Sequence, residues 1–273
     1  MLAARTSSLL ANAPVSHRAG SPALVEHGRY AVRVAETDVE IDAALRLRFE
    51  VFNLELGEGL RRSYLTGRDQ DDFDTFCRHL VVIDRDTGAT VGTYRVQTGE
   101  SAAQGRGFYT ATEFDLSAVP DEILVGSLEL GRACISRAHR NTRVLHLLWR
   151  AIAEVARREG KRWLFGCCSL TSRDPREGRA LRDVLARRGA LHPGLRVRPR
   201  PEFTCWTTVD SHGVTPPVEV PRLFDMYLAM GARVCSDPAL DRAFGTIDFV
   251  VLFDLLDLDP RSRRRFLPQE GRP

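Results

Sequence analysis

With 273 residues, 43% of them hydrophobic, the chain has enough apolar surface for a full core, as one large domain or a domain with an appended subdomain. Its formal charge of +3 is too small to mark a nucleic-acid binder, and its longest apolar stretch, Phe249 to Phe253, is strand-sized and far short of the ~18 residues of a membrane-spanning helix. Six cysteines (Cys77, Cys134, Cys167, Cys168, Cys205, Cys235) form no C-x-x-C pair, so a metal site has no support and buried thiols are expected.

Residues 1–30 read as a disordered leader. They are rich in Ser, Ala, Pro and Gly and lack the continuous apolar core of a signal peptide, which fits a bacterial-type cytoplasmic protein. Ile41, Leu45, Phe49, Phe52 and Leu56 recur at helical spacing, predicting a helix over Val39 to Leu56 closed by Gly57 and Gly59. A polar loop carrying Asp71 and Asp74 follows. His79 to Asp84 and Thr90 to Thr98 are strand-like and joined by the turn Arg85 to Gly88, a hairpin pattern. Then come a strand at Ser127 to Ser136, a helix at Asn141 to Arg158 and a strand at Arg162 to Cys167. A helix over Asp174 to Arg188 starts at an Asp-Pro cap and ends at Gly189. Proline makes Leu191 to Pro221 irregular. A helix at Leu223 to Met230, a strand at Ala232 to Cys235, a helical piece at Pro238 to Phe244 and a strand at Ile247 to Phe253 complete a domain spanning 31–256. Residues 257–273 form a basic tail. This order of strands and helices predicts an α/β fold with a mixed sheet.

The segment LELGRACI, Leu128 to Ile135, places Glu129 and Arg132 inside an otherwise apolar strand. Buried charges need partners or a purpose, so these two are candidate catalytic residues; the alternative is a structural ion pair at a sheet edge. Residues three apart on a regular strand face opposite ways, so the pair shares a cleft only if the strand is bulged, and Gly131 is the expected bulge residue. A bulge also frees a backbone N–H, which in acyl transfer could hold the oxyanion of a thioester under attack. Cys134 lies on the same strand but has no evident base beside it.

Arginines cluster at Arg137, Arg140 and Arg143, in the turn before the long helix, and again at Arg261 to Arg265. Such patches attract anions: a phosphopantetheine phosphate, an acidic carrier protein or an anionic membrane, with nucleic acid the weakest choice because no binding module accompanies them. They also fit a plain solvated face.

FNLELGEG at Phe52 to Gly59, DDFDTFCRHLVV at Asp71 to Val82, GTYRV at Gly92 to Val96, GFYTATEFDLS at Gly107 to Ser117, LELGRACI and LFGCCS together resemble the ornithine lipid N-acyltransferases, hemolysin-like members of the GNAT superfamily. A fainter similarity is to acyl-homoserine-lactone synthases, through Val51 and Phe52, Asp71 and Asp74, Gly92 and Arg95, and Glu129 and Arg132. The resemblance implies a twisted GNAT-like sheet flanked by helices, with the acyl donor entering where two strands splay. It implies transfer of a 3-hydroxyacyl group from acyl carrier protein to the α-amino group of an amino acid, ornithine above all, with acyl-phosphopantetheine as donor substrate and no permanently bound cofactor. A protonated amine must lose its proton before attack, and a partly desolvated Glu129 suits that task, directly or through a water. Arg132 and Arg95 would neutralise a carboxylate or phosphate, and Asp71 and Asp74 could hold a cationic acceptor, or serve as a loop acid and a helix cap.

Coenzyme A-binding relatives use a glycine-rich turn, yet Ser136 to Trp149 contains no glycine, so a single phosphopantetheine phosphate on Arg137, Arg140 and Arg143 is the easier ligand. His79 and Asp84 also make the H-x4-D pattern of glycerolipid acyltransferases, but on a strand they face opposite sides. Two alternatives stay open: a synthase of N-acyl amino acids or signals with another amine acceptor, and a silent module binding carrier protein or membrane through its arginine faces. Arg261 to Arg265, next to Phe266 and Leu267, are expected to touch an anionic membrane at its inner face, which would suit an acylated product.

Overall fold

The computed structural model describes residues 22–205, 217–258, 263 and 264. A nine-stranded sheet runs β1 (Val25–His27), β2 (Tyr30–Val34), β3 (Arg78–Asp84), β4 (Thr90–Thr98), β5 (Ser127–Ile135), β6 (Trp163–Leu170), β9 (Thr246–Asp254) and β8 (Ala239–Asp241), with β7 (Arg233–Val234) also against β9. Every pairing is antiparallel except β5 with β6.

Helices cover both faces. α2 (Thr142–Arg158) buries Val144, Leu147, Leu148, Ala151, Ile152 and Val155 in the main core with Leu80 and Val82, while Val81 between those two packs with Ala44 of α1 (Asp38–Arg48) on the other side. This is why β3 reads as an unbroken apolar run: both of its faces are buried. Each helix starts where a side chain satisfies the free N–H groups. Thr37 and Glu40 form a capping box on α1, Asn141 accepts from Arg143 and Val144 on α2, and Asp174 with Pro175 opens α3 (Pro175–Arg187).

Several elements differ from expectation. The sheet begins inside the segment expected as a leader, because β1 and β2 are too short to give a periodic signal; residues 1–21 lie outside the described residues. The first helix does not continue as an α-helix to Leu56: Phe49–Glu55 is π-helical, a widening that presents Phe52 and Leu56 to the central cavity. The segment Gly99–Gln104 is a short helix capped by Thr98. Pro238 to Phe244 is a strand and turn, because Ala239–Asp241 pairs with Thr246–Asp248. α4 (Arg222–Ala229) falls where expected. Of the basic tail, Arg261 and Arg265 lie outside the described residues.

Candidate active site

β5 and β6 pair only at Ser127–Trp163, Leu128–Leu164 and Glu129–Phe165, although both strands run on, to Ile135 and Leu170. They part immediately after Glu129. Gly166 marks the crossing: a Cβ there would sit 2.2 Å from the Leu130 carbonyl oxygen, so only glycine lets the two backbones approach before they separate. On the other side of β5, Thr93 lies opposite Cys134 and Arg95 opposite Gly131, which leaves one extra residue on β5. The bulge is real, but it is centred on Arg132 rather than Gly131: Arg132 has φ +51° and is alone among the described non-glycine residues in the left-handed region. Into the splay opens a cavity of about 220 Å³ lined by Glu129, Arg132, Arg95, Tyr109, Glu58 and Asp248 among others.

Glu129 is 5% exposed, and its carboxylate is clamped by the turn at Tyr109–Thr112. The Tyr109 N–H donates to Oε2 at 2.9 Å and the Thr110 N–H to Oε1 at 2.7 Å. Burial raises its pKa above the ordinary value, and the Thr110 hydrogen bonds oppose that rise. Each oxygen keeps a further lone pair, so the group is oriented without being used up.

Arg132 is held in its left-handed conformation from several directions. Its guanidinium lies 4.7 Å from the Tyr109 ring centroid and 4.4 Å from that of Phe244, and it pairs with Asp71 at 3.1 Å and Asp69 at 3.4 Å. Arg95 pairs with Asp71 at 2.6 Å and Asp74 at 2.9 Å. Arg48, fully buried, closes the network on Asp69 at 2.5 Å and Asp74 at 2.8 Å. Three arginines thus meet three aspartates in a neutral, dry cluster. The arginines beside Asp71 and Asp74 hold both carboxyls below the ordinary range.

Asp71 and Asp74 are therefore brought to the site, but behind the arginines. Neither lines the cavity, and both are already ion-paired, so they position Arg95 and Arg132 rather than face a cationic ligand. Of the basic turn, Arg140 is tied to Glu55 at 2.5 Å and to the Ile135 carbonyl, while Arg137 and Arg143 are exposed beside the N-terminus of α2. The H-x4-D pair is separated as expected: His79 faces the Asp74 carbonyl and Asp84 pairs with Arg29. Burial pushes the thiols of Cys77 (to about 12), Cys134 and Cys167 up, so none is a ready thiolate nucleophile.

Four carboxyl groups at the site were not singled out from the sequence, although Glu58 and Glu113 stand within FNLELGEG and GFYTATEFDLS. Glu58 is 7% exposed and accepts from the Thr171 hydroxyl. Asp248 of β9 accepts from the Thr246 hydroxyl at 3.1 Å, and behind it lie Glu113 and Asp241. Oxygens of Glu113, Asp241 and Asp248 lie within 4.8 Å of one another, close enough for a cation. Burial and mutual repulsion, however, raise Glu113 and Asp248 above the ordinary carboxylate range, and Asp241 is committed to the Ala243 and Phe244 N–H groups.

Residues 47–150 match the acetyltransferase (GNAT) domain family. The L-ornithine N(alpha)-acyltransferase of Brucella abortus (strain 2308) is 30% identical over 247 residues, covering 86% of this chain and 87% of that protein. The chain belongs to the L-ornithine N(alpha)-acyltransferase family. The member from Rhizobium meliloti (strain 1021) is 30% identical over 287 aligned residues, 96% of this chain and 93% of its own length. Among solved structures, the acyl-homoserine-lactone synthase LasI aligns over 89% of this chain and 98% of its own, with a TM-score of 0.47 and 13% identity. The N-acyl amino acid synthase FeeM aligns over 88% and 95%, with a TM-score of 0.46 and 10% identity. As a member of this acyltransferase family the chain is an N-acyltransferase with a GNAT fold, and the cavity at the β5–β6 splay is its candidate active site. Among the described residues no helix is long and apolar enough to cross a membrane.

Proposed function

We propose that this chain transfers a 3-hydroxyacyl group from the phosphopantetheine thioester of acyl carrier protein to the α-amino group of ornithine, giving a lyso-ornithine lipid in the cytoplasm. The observation that carries the reading is Glu129: a buried carboxylate, oriented by two N–H groups and raised in pKa, at the point where β5 and β6 part. A group of this kind takes the proton of an incoming ammonium at neutral pH. The freed amine then attacks the thioester carbonyl; the C–N bond forms, the C–S bond breaks, and the leaving sulfur is released as the carrier thiol.

Arg132 and Arg95 both line the cavity and suit the acceptor's α-carboxylate. Asp71 and Asp74 keep these arginines in place. The N–H freed by the bulge at Arg132 is the group we assign to the developing oxyanion. Arg137 and Arg143, beside the start of α2, suit the single phosphate of phosphopantetheine, with Arg140 braced against Glu55.

Release of free thiol, followed for acyl carrier protein and for coenzyme A carrying the same 3-hydroxyacyl group, tests the donor. The reading expects ornithine-dependent release from the carrier protein at a kcat/KM at least tenfold above that from coenzyme A. Equal or better use of coenzyme A would overturn the donor assignment.

A further inference from the structure

We propose that Glu58 and Asp248 form a subsite for the side-chain ammonium of a diamino acid acceptor, and so select it over amino acids with an uncharged side chain. This rests on the acceptor reading above and names the residues that would make it specific.

The charges lining the cavity are not balanced. Arg48, Arg95 and Arg132 are already matched by Asp69, Asp71 and Asp74. Glu58 and Asp248 line the same cavity, are less than one-tenth exposed and lie within electrostatic reach of each other, with Glu113 and Asp241 clustered on Asp248. Among the described residues no arginine or lysine forms an ion pair with any of these four; Arg132 acts on Glu58 electrostatically but is paired with Asp69 and Asp71. Carboxylates are rarely buried in such numbers without a counter-charge.

Asp248 is the pointed case. Its Oδ2 accepts from Thr246, whereas Oδ1 is buried and has no hydrogen-bond partner, although the residue lines the cavity. Burial and the repulsion of Asp241 beside it raise the pKa of Asp248, so the cluster gains from a counter-charge brought by a ligand. A primary ammonium has three donors and no acceptor. Asp248, Glu58 and the hydroxyls of Ser169 and Thr246, which line the same cavity, offer acceptors for all three. A side chain with no charged end would leave these carboxylates desolvated and unpaired, the arrangement that discriminates most strongly between otherwise similar substrates.

In this arrangement Arg95 and Arg132 would take the α-carboxylate, Glu129 the α-amine, and Glu58 with Asp248 the far ammonium, all from the lining of one cavity. The thiol of Cys167 lies within electrostatic reach of Glu113, Asp248 and Glu129 alike, so the base and the acidic cluster belong to one chamber.

The test compares ornithine with norvaline, which has the same α-centre and three-carbon side chain but no terminal amine, using the full chain and 3-hydroxyacyl carrier protein. The wild type should favour ornithine in kcat/KM by roughly 10–100-fold, the range of hydrogen bonds to a charged group. Glu58→Gln should lower the ornithine-to-norvaline ratio roughly tenfold or more through KM. Asp248→Asn, whose amide oxygen can still accept from Thr246, should lower it in the same direction. The ratio cancels general damage to the fold. A wild type that uses both amino acids equally, or a ratio unchanged in the variants, would overturn the subsite while leaving amino acid acylation intact. A wild type that acylates neither would overturn the acceptor reading and the subsite with it.

Discussion

The Glu129 carboxylate and the Thr110 backbone N–H meet at 2.7 Å, and this contact ties the strand that carries the candidate base to the turn that roofs the cavity. Together with the Tyr109 N–H at 2.9 Å it fixes the orientation of a charge that burial alone would make unstable.

Glu129→Gln should therefore act on chemistry and fold together. The amide keeps one acceptor but turns an NH2 group towards the other N–H. We expect kcat to fall roughly 10²–10⁴-fold, as for loss of a general base, with a stability loss of about 1–3 kcal/mol. Turnover and denaturant unfolding measured on the same preparation separate the two, and near-wild-type turnover would remove Glu129 as the base.

The raised pKa of Glu129 sets the pH profile of the reaction. The base must be ionised, so kcat should climb with pH through a value above the ordinary carboxylate range, and level off once Glu129 is deprotonated. A profile flat down to about pH 4.5, the ordinary carboxylate value, would contradict this.

Glu113 and Asp248 should make the fold sensitive to alkali. Both have folded pKa values above their unfolded ones, so the folded state holds protons more tightly. Stability is then greatest below the ordinary carboxylate pKa and is lost as pH rises towards the raised values. Glu113→Gln removes one titrating group, so its Tm relative to wild type should be higher at about pH 8 than at about pH 5; a difference independent of pH would refute the assignment.

Arg48 pairs with Asp69 and Asp74 in full burial, and removing it leaves three buried aspartates to two arginines, Asp74 with Arg95 alone and Asp69 with only the 3.4 Å contact to Arg132. Arg48→Met should cost about 3–5 kcal/mol by urea unfolding. Arg48→Lys should recover little, because a point charge cannot span both aspartates as the guanidinium fork does.

Gly166→Ala tests the origin of the splay. The new methyl would meet the Leu130 carbonyl at 2.2 Å, so β5 must shift where it carries Glu129. We expect a loss of about 1–3 kcal/mol and a fall in kcat larger than the fall in stability explains. Unchanged turnover would show that the spacing at this crossing is not needed for the chemistry.

The sequence exposed much of this arrangement where local chemistry decides it. The capping signal at Asp174, the hairpin of β3 and β4, and the charged pair on β5 are all local signals, and each falls where expected. The bulge itself was legible from the three-residue spacing of Glu129 and Arg132, but not its centre, because the left-handed residue is Arg132, kept there by Tyr109, Phe244 and two aspartates from distant segments. Asp71 and Asp74 were visible as acids near a site, whereas Arg48, the partner of Asp74, sits inside a helix and carries no mark of burial. Glu58 and Asp248 come from a loop and a late strand, and only the fold brings them into one cavity with the arginines. β1 and β2 were missed because three and five residues are too few to show a period.

The central claim is a Glu129-dependent acylation of an amino acid, and mass spectrometry of lipid extracts from a host expressing the chain tests it most directly. The account predicts a new 3-hydroxyacyl-ornithine with the wild-type chain and its loss with Glu129→Gln expressed at the same level. An acylated ornithine that persists undiminished in the variant would contradict the base assignment, and no acylated amino acid with the wild type, in a host supplying the donor, would contradict the function.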